Sequence, residues 1–415
     1  MLNELHTFEI SDGIYLHCIK DSKFLTGSLS FFLRMPLTPE NAARASLLAL
    51  ILKSGCKEYP SVSTVNRRLQ DLYGCEMDIF TFKKGTQLIL CLNLQFPDRQ
   101  WVLDKVFALA GNILLSPKHQ NNKFDDIDFQ NSVFIQSKKI RALYDDKPQY
   151  AMFRLTEEMV FDAADNEASR AFGLSADGSL KEISLVTPST LYDFYNWLIN
   201  HCHIDVYCVS GRNADDIKSL FTKMTFMDMA RKKPMPFEPI IGKNTEGRHV
   251  AERAGLEQTI LAAGYTFESS NIYAAEVFNE VLSGGGESLL FNNVRQKNGL
   301  CYNIWSKIYS LNGVLAVCAG IDKNNIETVT NLIKEAITNS TFAEDMLKKA
   351  KERLKFKYMS FYDDPQSLSS FCFECRLKNI TPDIEEYIKS LYSVSPEDIR
   401  FISSSVKEQI IYSLS

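Results

Sequence analysis

The sequence predicts a protein of mixed α-helix and β-strand structure that is built from two similar halves. Strand-like segments alternate with helix-like segments along the chain. The second half repeats the order of elements in the first, so that residues 298–304 match residues 73–79 about 225 positions later. Residues 228–248 contain prolines and little periodicity. We therefore predict domains at 1–227 and 249–415, with a linker at 228–248.

Composition narrows the class of protein. The chain has 415 residues, which suggests two or three domains, and 45% of them are hydrophobic, enough for sizeable cores. The net charge is −5 and no long basic tract occurs, which argues against nucleic-acid binding. We expect no signal peptide, no membrane span and no membrane partner. Ten scattered cysteines indicate reduced, buried thiols and a cytoplasmic protein.

The first long helix has clear boundaries. Thr38 is a good capping residue, and Pro39 suits the first helical position. We expect this helix to end near Lys53, before Gly55. Its leucines and isoleucine make it apolar almost all round, which predicts burial.

Other elements follow from the same criteria. Ser63 is predicted to cap a second helix that ends at Gly74. Residues 76–83 form a predicted strand, and 88–94 alternate as a half-buried strand does. Further predicted helices cover 148–165, 188–200, 271–282, 325–339, 342–361, 366–377 and 383–392, with another starting at Ser395. Further predicted strands cover 14–19, 27–34, 204–209, 259–265, 301–308, 314–319 and 408–414.

The segment 282–302 organises the second half. Three glycines after Leu282 allow a sharp turn, and a short helix follows before Gly299. Arg295 lies near the end of that helix, and Tyr302 lies at the start of the next strand. We expect both to face one groove. A guanidinium and a phenol in a groove suit the binding of peptide carbonyls and carboxylates.

This segment resembles the C-terminal domain of the insulinase-type (pitrilysin, M16) zinc peptidases. The resemblance implies an α+β fold with two similar M16-type (LuxS/MPP-like) domains, each a mostly antiparallel sheet covered by helices on one face. It also implies that Arg295 and Tyr302 help to hold substrate. The positions that match the family pattern are Leu290, Phe291, Arg295, Lys297, Gly299, Leu300 and Tyr302.

The zinc motif of that family is replaced. His-x-x-Glu-His places two imidazoles on one helix face, with a glutamate beside the zinc-bound water. Here the matching stretch, counted back from Gly55, runs from Ser46 through Ala49 to Leu50 and lacks both histidines and the base. The family's third ligand, a glutamate, corresponds to Lys139, and an ammonium there would repel zinc. We therefore expect no metal and no cofactor in this chain.

The resemblance also implies a peptide-binding edge. In the family, the strand that matches 77–82 is a sheet edge that pairs with extended substrate, and an edge offers free backbone donors and acceptors. Met77 stands where the family usually has a substrate-contacting asparagine.

Two other motifs have ordinary interpretations. His201 and His203 could contribute to a metal site, but no third ligand is evident, which favours a strand edge. Cys372 and Cys375 have redox spacing, but they lie in a predicted helix without a preceding strand, which favours core cysteines.

Taken with the resemblance, these residues predict a non-catalytic subunit that binds peptide and completes the chamber of a zinc metallopeptidase heterodimer. Zinc and the general base would come from a sibling subunit, and a homodimer is possible. Two alternatives stay open. One is an active peptidase with an unusual site, although Ser46 has no evident triad. The other is a binding or scaffold module without a proteolytic partner.

Overall fold

The computed structural model describes residues 5–161, 167–226, 231, 247–268, 271–338 and 344–415. The strands are β1 Leu5–Ser11, β2 Ile14–Lys20, β3 Thr26–Pro36, β4 Glu76–Lys84, β5 Gln87–Pro97, β6 His119–Gln120, β7 Lys123–Phe124, β8 His203–Ser210, β9 Arg248–Glu252, β10 Thr259–Thr266, β11 Cys301–Tyr309, β12 Val314–Ile321 and β13 Lys407–Leu414. The α-helices are α1 Pro39–Ser54, α2 Val62–Asp71, α3 Gln100–Leu115, α4 Asp126–Asp145, α5 Lys147–Val160, α6 Glu167–Gly173, α7 Leu180–Ser184, α8 Pro188–His201, α9 Ala214–Phe221, α10 Ile272–Ser283, α11 Ile326–Thr338, α12 Glu344–Met359, α13 Pro365–Leu377, α14 Ile384–Ser393 and α15 Pro396–Ser405.

The chain forms two compact units, and each is discontinuous in sequence. Unit 1 comprises Met1–Ile140, Ser175–Pro236 and Ser360–Asp383, and unit 2 comprises Arg141–Leu174, Phe237–Met359 and Ile384–Ser415. The sequence-based boundaries divide the chain linearly and stay a prediction. Most of the predicted linker, 228–248, lies outside the described residues.

Unit 1 contains a six-stranded sheet with the order β1-β2-β8-β3-β5-β4. Its strands pair antiparallel, apart from the parallel pair β2 and β8. Strand β4 is the outermost strand beside β5. The predicted mostly antiparallel sheet, with its edge over 77–82, is confirmed.

Unit 2 repeats this arrangement. Its sheet has the order β11-β12-β10-β13-β9, in which only β13 and β9 pair parallel. Reading both sheets from their edges, β11, β12, β10, β13 and β9 correspond to β4, β5, β3, β8 and β2. Since the single parallel pair also falls at the same place, the two predicted halves share one topology, and the predicted fold class is confirmed.

Each sheet is completed by a helix from the other half of the sequence. In unit 1, Phe31 packs against Phe221 of α9, whereas its neighbour Phe32 stacks on Phe373 of α13 with ring centroids 4.0 Å apart. Adjacent residues of a strand point to opposite faces, so α9 and α13 cover opposite faces of the sheet, rather than the one face that the resemblance implies. In unit 2, α5 packs against β10 and β13 in the same way.

The helix α5 fits closely onto its sheet. Buried Ala151 and Leu155 belong to one core cluster with Ala262 of β10 and Tyr412 of β13. A Cβ added to Gly264 would lie 2.7 Å from the sulfur of Met159, so a glycine at this strand position permits the close approach of the helix.

A buried carboxylate anchors α13 to the unit 1 sheet. Asp205 of β8 is fully buried, and Arg376 of α13 donates from Nε to its Oδ1 over 2.6 Å. Arg34 of β3 donates to Oδ2 over 3.1 Å. Two histidines complete the surroundings, with Nε2 of His17 3.4 Å from Oδ1 and Nε2 of His203 3.5 Å from Oδ2. A buried carboxylate is tolerated only with such partners.

This cluster shifts the pKa values of its members. Burial by itself would raise the pKa of Asp205, but the contacts with His17 and His203 and the charge of Arg376 hold it well below its usual range. Burial lowers the pKa of His17, and the charge of Arg376 adds to this, although Asp205 opposes both. His17 is therefore disposed to be neutral in the folded protein.

Local capping chemistry determines where the helices of unit 1 begin. The side chain of Thr38 accepts from the N–H of Asn41 over 3.1 Å, which confirms the predicted start of α1. The prediction that Ser63 caps α2 is wrong. Ser61 is the cap, because its hydroxyl and that of Thr64 accept each other's backbone N–H in a capping box.

We predict that Arg376→Met lowers the free energy of unfolding by about 2 kcal/mol, because the buried Asp205 then keeps only Arg34 as a cationic partner and methionine retains much of the packing. Urea denaturation measures this. The control is Arg400→Met, since Arg400 pairs with Glu397 on the exposed surface and should change stability by less than about 0.5 kcal/mol. Equal effects of the two substitutions would contradict the anchoring role of Arg376.

The His17 environment also predicts a pH dependence. Because the folded pKa of His17 is lowered, the unfolded state binds the proton more readily, and stability falls as the pH drops below about 6.5, the ordinary histidine pKa. His17→Gln should therefore flatten the decline in unfolding free energy between about pH 7 and pH 5. The exposed His249 provides the control, since His249→Gln should leave the slope unchanged.

Candidate functional site

The helix that matches the family's zinc helix carries no metal ligand at the expected positions. Ser46 and Ala49 are buried on α1, and Leu50 is half-buried. The Ser46 hydroxyl lies 3.0 Å from the carbonyl oxygen of Ala43 and 3.2 Å from that of Asp177. Its hydrogen-bonding capacity is therefore directed at backbone acceptors. Ala49 and Leu50 offer only alkyl groups.

The third predicted ligand position is part of an ion pair. Lys139, on α4, places Nζ 2.7 Å from Oδ1 of Asp177. Gln136, one turn earlier, donates to the carbonyl oxygen of Asp177 over 2.9 Å. The structure thus brings Ser46 and Lys139 together at one residue, Asp177, which sequence reasoning missed.

These groups do not fit a zinc ion. Zinc in proteins is bound by thiolate, imidazole and carboxylate groups, whereas this position has a hydroxyl, two alkyl side chains and an ammonium paired with a carboxylate. A cation here would be repelled by Lys139. Across the described ranges, no group of three or more His, Cys, Asp or Glu residues is placed to hold a metal. We derive no catalytic step through zinc in this chain.

Gly178 lets the segment 175–178 lie directly on α1. Its φ is +73°, and a Cβ at this position would be 2.7 Å from Cα and 2.9 Å from N of Ala43. The backbone therefore approaches the helix more closely than any side chain would permit. This contact lies one turn before Ser46 and places Asp177 beside two of the predicted ligand positions, Ser46 and Lys139.

Arg295 and Tyr302 lie together in unit 2. Residues Phe291–Gln296 form a π-helical turn rather than the predicted α-helix, and Arg295 lies near its end. Its guanidinium carbon is 5.3 Å from the ring centroid of Tyr302 and 4.8 Å from that of Phe291. Gly299, with φ +64°, turns the chain between them. The predicted proximity is thus present, while the predicted role in substrate binding stays a prediction.

Tyr302 is accessible to a ligand. Its side chain is 79% exposed, and it belongs to β11, the edge strand of the unit 2 sheet. The arginine stacked on it is positioned by a cation–π contact and keeps its N–H donors. This pair therefore offers a cation and a phenol beside free strand-edge backbone groups.

Neither of the two remaining motifs forms a special site, but one interpretation needs correction: β8, which begins at His203, lies between β2 and β3 and is therefore not the predicted strand edge. His201 ends α8 and its Nδ1 lies 3.1 Å from the carbonyl oxygen of Trp197, whereas His203 begins β8 and faces Asp205. Cys372 and Cys375 are both buried and form no disulfide, and burial raises the pKa of Cys372. A thiol of this kind is a poor nucleophile at neutral pH.

We predict that Gly178→Ala destabilises the protein by at least about 2 kcal/mol more than Gly74→Ala. Both glycines have a positive φ, +73° and +77°, but only at Gly178 does the added methyl group collide with backbone, since nothing lies within 4 Å at Gly74. Backbone strain alone costs about 1 kcal/mol. Urea denaturation of the two variants measures the difference, and equal destabilisation would contradict the close contact with α1.

Comparison with known proteins supports the resemblance. Residues 186–354 match the family described as "Peptidase M16 inactive domain". The chain is 26% identical over 400 residues to the "Probable inactive metalloprotease YmfF" of Bacillus subtilis, which covers 93% of this chain and 92% of that protein.

Solved structures show the same fold. A conserved protein from Enterococcus faecalis V583 aligns with a TM-score of 0.88 at 23% identity, over 99% of this chain and 98% of that one. A peptidase M16 inactive domain protein from Pseudomonas fluorescens aligns with a TM-score of 0.81 at 13% identity, again over 99% and 98%. The match to the inactive domain of the M16 peptidases thus covers residues 186–354, and the fold of the whole chain is that of these solved structures.

Proposed function

We propose that this chain is a non-catalytic subunit that binds peptide and completes the chamber of a zinc metallopeptidase heterodimer. The observation that carries the proposal is the Lys139–Asp177 ion pair at the position of the third zinc ligand. The ammonium group of Lys139 thus occupies the position where the family has a zinc-binding glutamate, and it would repel a metal cation. Bond cleavage then requires zinc and a general base from a sibling subunit.

The chain lacks zinc ligands at the predicted positions but has features suited to peptide binding. Both sheets end in an edge strand, β4 in unit 1 and β11 in unit 2. An extended peptide can add to such an edge through main-chain hydrogen bonds, with little demand on its sequence. Arg295 and Tyr302 lie at the second edge and would supply donors for peptide carbonyl or carboxylate oxygens.

The ten cysteines favour a cytoplasmic location. None of the ten forms a disulfide, and nine of them are buried, as is usual in a reducing compartment. No helix in the described parts of the chain is long and apolar enough to cross a bilayer.

Reconstitution tests the proposal. The chain is purified alone and together with a sibling from the same cell that carries an intact His-x-x-Glu-His motif. We expect the chain alone to contain no stoichiometric zinc and to hydrolyse a mixed peptide library no faster than background. The pair should cleave peptides faster than the sibling alone. Chelator-sensitive cleavage by the chain alone would overturn the proposal, and a complex that never cleaves peptide would favour the scaffold alternative.

We predict that Arg295→Ala lowers kcat/KM of the reconstituted pair by about tenfold, because a charged donor to the substrate is lost. Tyr302→Phe should cost about threefold to fivefold, the value of one neutral hydrogen bond. Steady-state assays on a fluorogenic peptide measure both. Arg400→Ala, which removes a surface arginine of unit 2 paired with Glu397, is the matched control. Unchanged turnover in both variants would remove the substrate role of these residues.

A further inference from the structure

Unit 1 contains a cavity whose lining includes none of the predicted zinc-ligand positions. It has a volume of about 210 Å³ and opens between the sheet and α13. Its walls come from alternate residues of β3, β4 and β5 and from one face of α13. Its apolar lining comes mainly from Phe32, Phe80, Phe82 and Phe373, and Ser370 also lines it.

Four phenylalanine rings form the apolar part of this cavity. Phe32 and Phe373 stack face to face, with ring centroids 4.0 Å apart. Phe82 meets both of them edge-on, at 6.3 and 6.5 Å. Phe80 tilts against Phe82 at 5.9 Å. The four rings thus pack in both stacked and edge-on geometries, and aromatic pairs of such geometry gain energy beyond simple burial.

The cavity also has polar groups at its margin. Lys84 of β4 and Glu374 of α13 form an ion pair there, and both are partly exposed. Asn93 accepts a hydrogen bond from the hydroxyl of Ser30 over 2.8 Å. A ligand with an apolar body and one polar group would find a partner for each part, as is typical of small-molecule sites.

We propose that this cavity binds a single benzene ring that carries a short polar arm. Apolar cavities of about 150 Å³ accept benzene, so about 210 Å³ accommodates one ring and a few further atoms, but not a drug-sized molecule. The ring packs among the four phenylalanines, and the arm hydrogen-bonds at Lys84 and Glu374.

Such a ring has two possible sources. One is a free monocyclic aromatic compound. The other is the phenylalanine side chain of a bound peptide, because a strand added beside the edge strand β4 would place alternate side chains on the face that carries Phe80 and Phe82. The peptide source rests on the proposed function, whereas the free compound does not.

The test uses the full chain and 4-fluorobenzyl alcohol, with binding followed by fluorine NMR. We expect saturable binding, and cyclohexylmethanol should compete about threefold or more weakly because it lacks the aromatic edge and face. Ser370 lies exposed at the mouth, so Ser370→Phe should weaken binding about tenfold by blocking entry, whereas Ser370→Ala should change it less than about twofold. Circular dichroism confirms that each variant is folded.

Two further results separate the outcomes. No saturable binding of the alcohol, or equal binding by Ser370→Phe and Ser370→Ala, would overturn the site. A hexapeptide with one phenylalanine that displaces the alcohol, when its alanine counterpart does not, supports the peptide source. Displacement by neither peptide supports the free compound. A reconstituted pair that fails to cleave peptide would refute the proposed function and leave the alcohol result intact.

Discussion

Both units depend on covering a sheet on two faces. Phe31 and Phe32 are adjacent and both buried, so β3 has apolar side chains on each side. Helices from the same half of the sequence cover one side, and α13 covers the other. In unit 2, α5 comes from the first half of the sequence and covers one face of the sheet. Since each half lacks a helix that the other supplies, cores of this kind form only when the whole chain is present.

The packing of α13 on a sheet from the other half of the sequence also gives a role to the buried polar cluster at Asp205. A helix that packs onto a sheet through side chains alone can slide along it, whereas a charged pair fixes its position. Arg376 reaches Asp205, and Arg34 and the two histidines satisfy the rest of that carboxylate. The position of α13 on the sheet in turn determines where its cavity-lining residues lie against Phe32 and Phe82. The contacts of Arg376 with Asp205 therefore also help to shape the aromatic cavity.

The sequence predicts those features of the fold that depend on neighbouring residues or on a repeated pattern. Thr38 and Pro39 identified the start of α1 because capping is local. The repeat of residues 73–79 at 298–304 revealed the shared topology. The start of α2 is less easily predicted, because serine is a good cap at position 63 as well as at 61, and only the reciprocal bonds with Thr64 identify Ser61.

Contacts between distant residues were not predictable in this way. Asp177 meets Lys139 and Ser46 across 38 and 131 positions, and no local pattern singles out that aspartate. The sequence likewise does not show that α5 packs on the sheet of unit 2 and α13 on the sheet of unit 1, because both contacts join distant parts of the chain. The sequence predicts a helix at Phe291–Gln296 but not its π-helical form, because π- and α-helices differ by only one residue in the spacing of their hydrogen bonds.

The close approach of Gly178 to Ala43 limits which side chains position 46 can accept. The Ser46 hydroxyl already lies 3.2 Å from the carbonyl oxygen of Asp177, so an imidazole at that position would collide with this backbone. A carboxylate at position 139 would repel Asp177. A zinc site engineered at these two positions would therefore also require redesign of the segment 175–178.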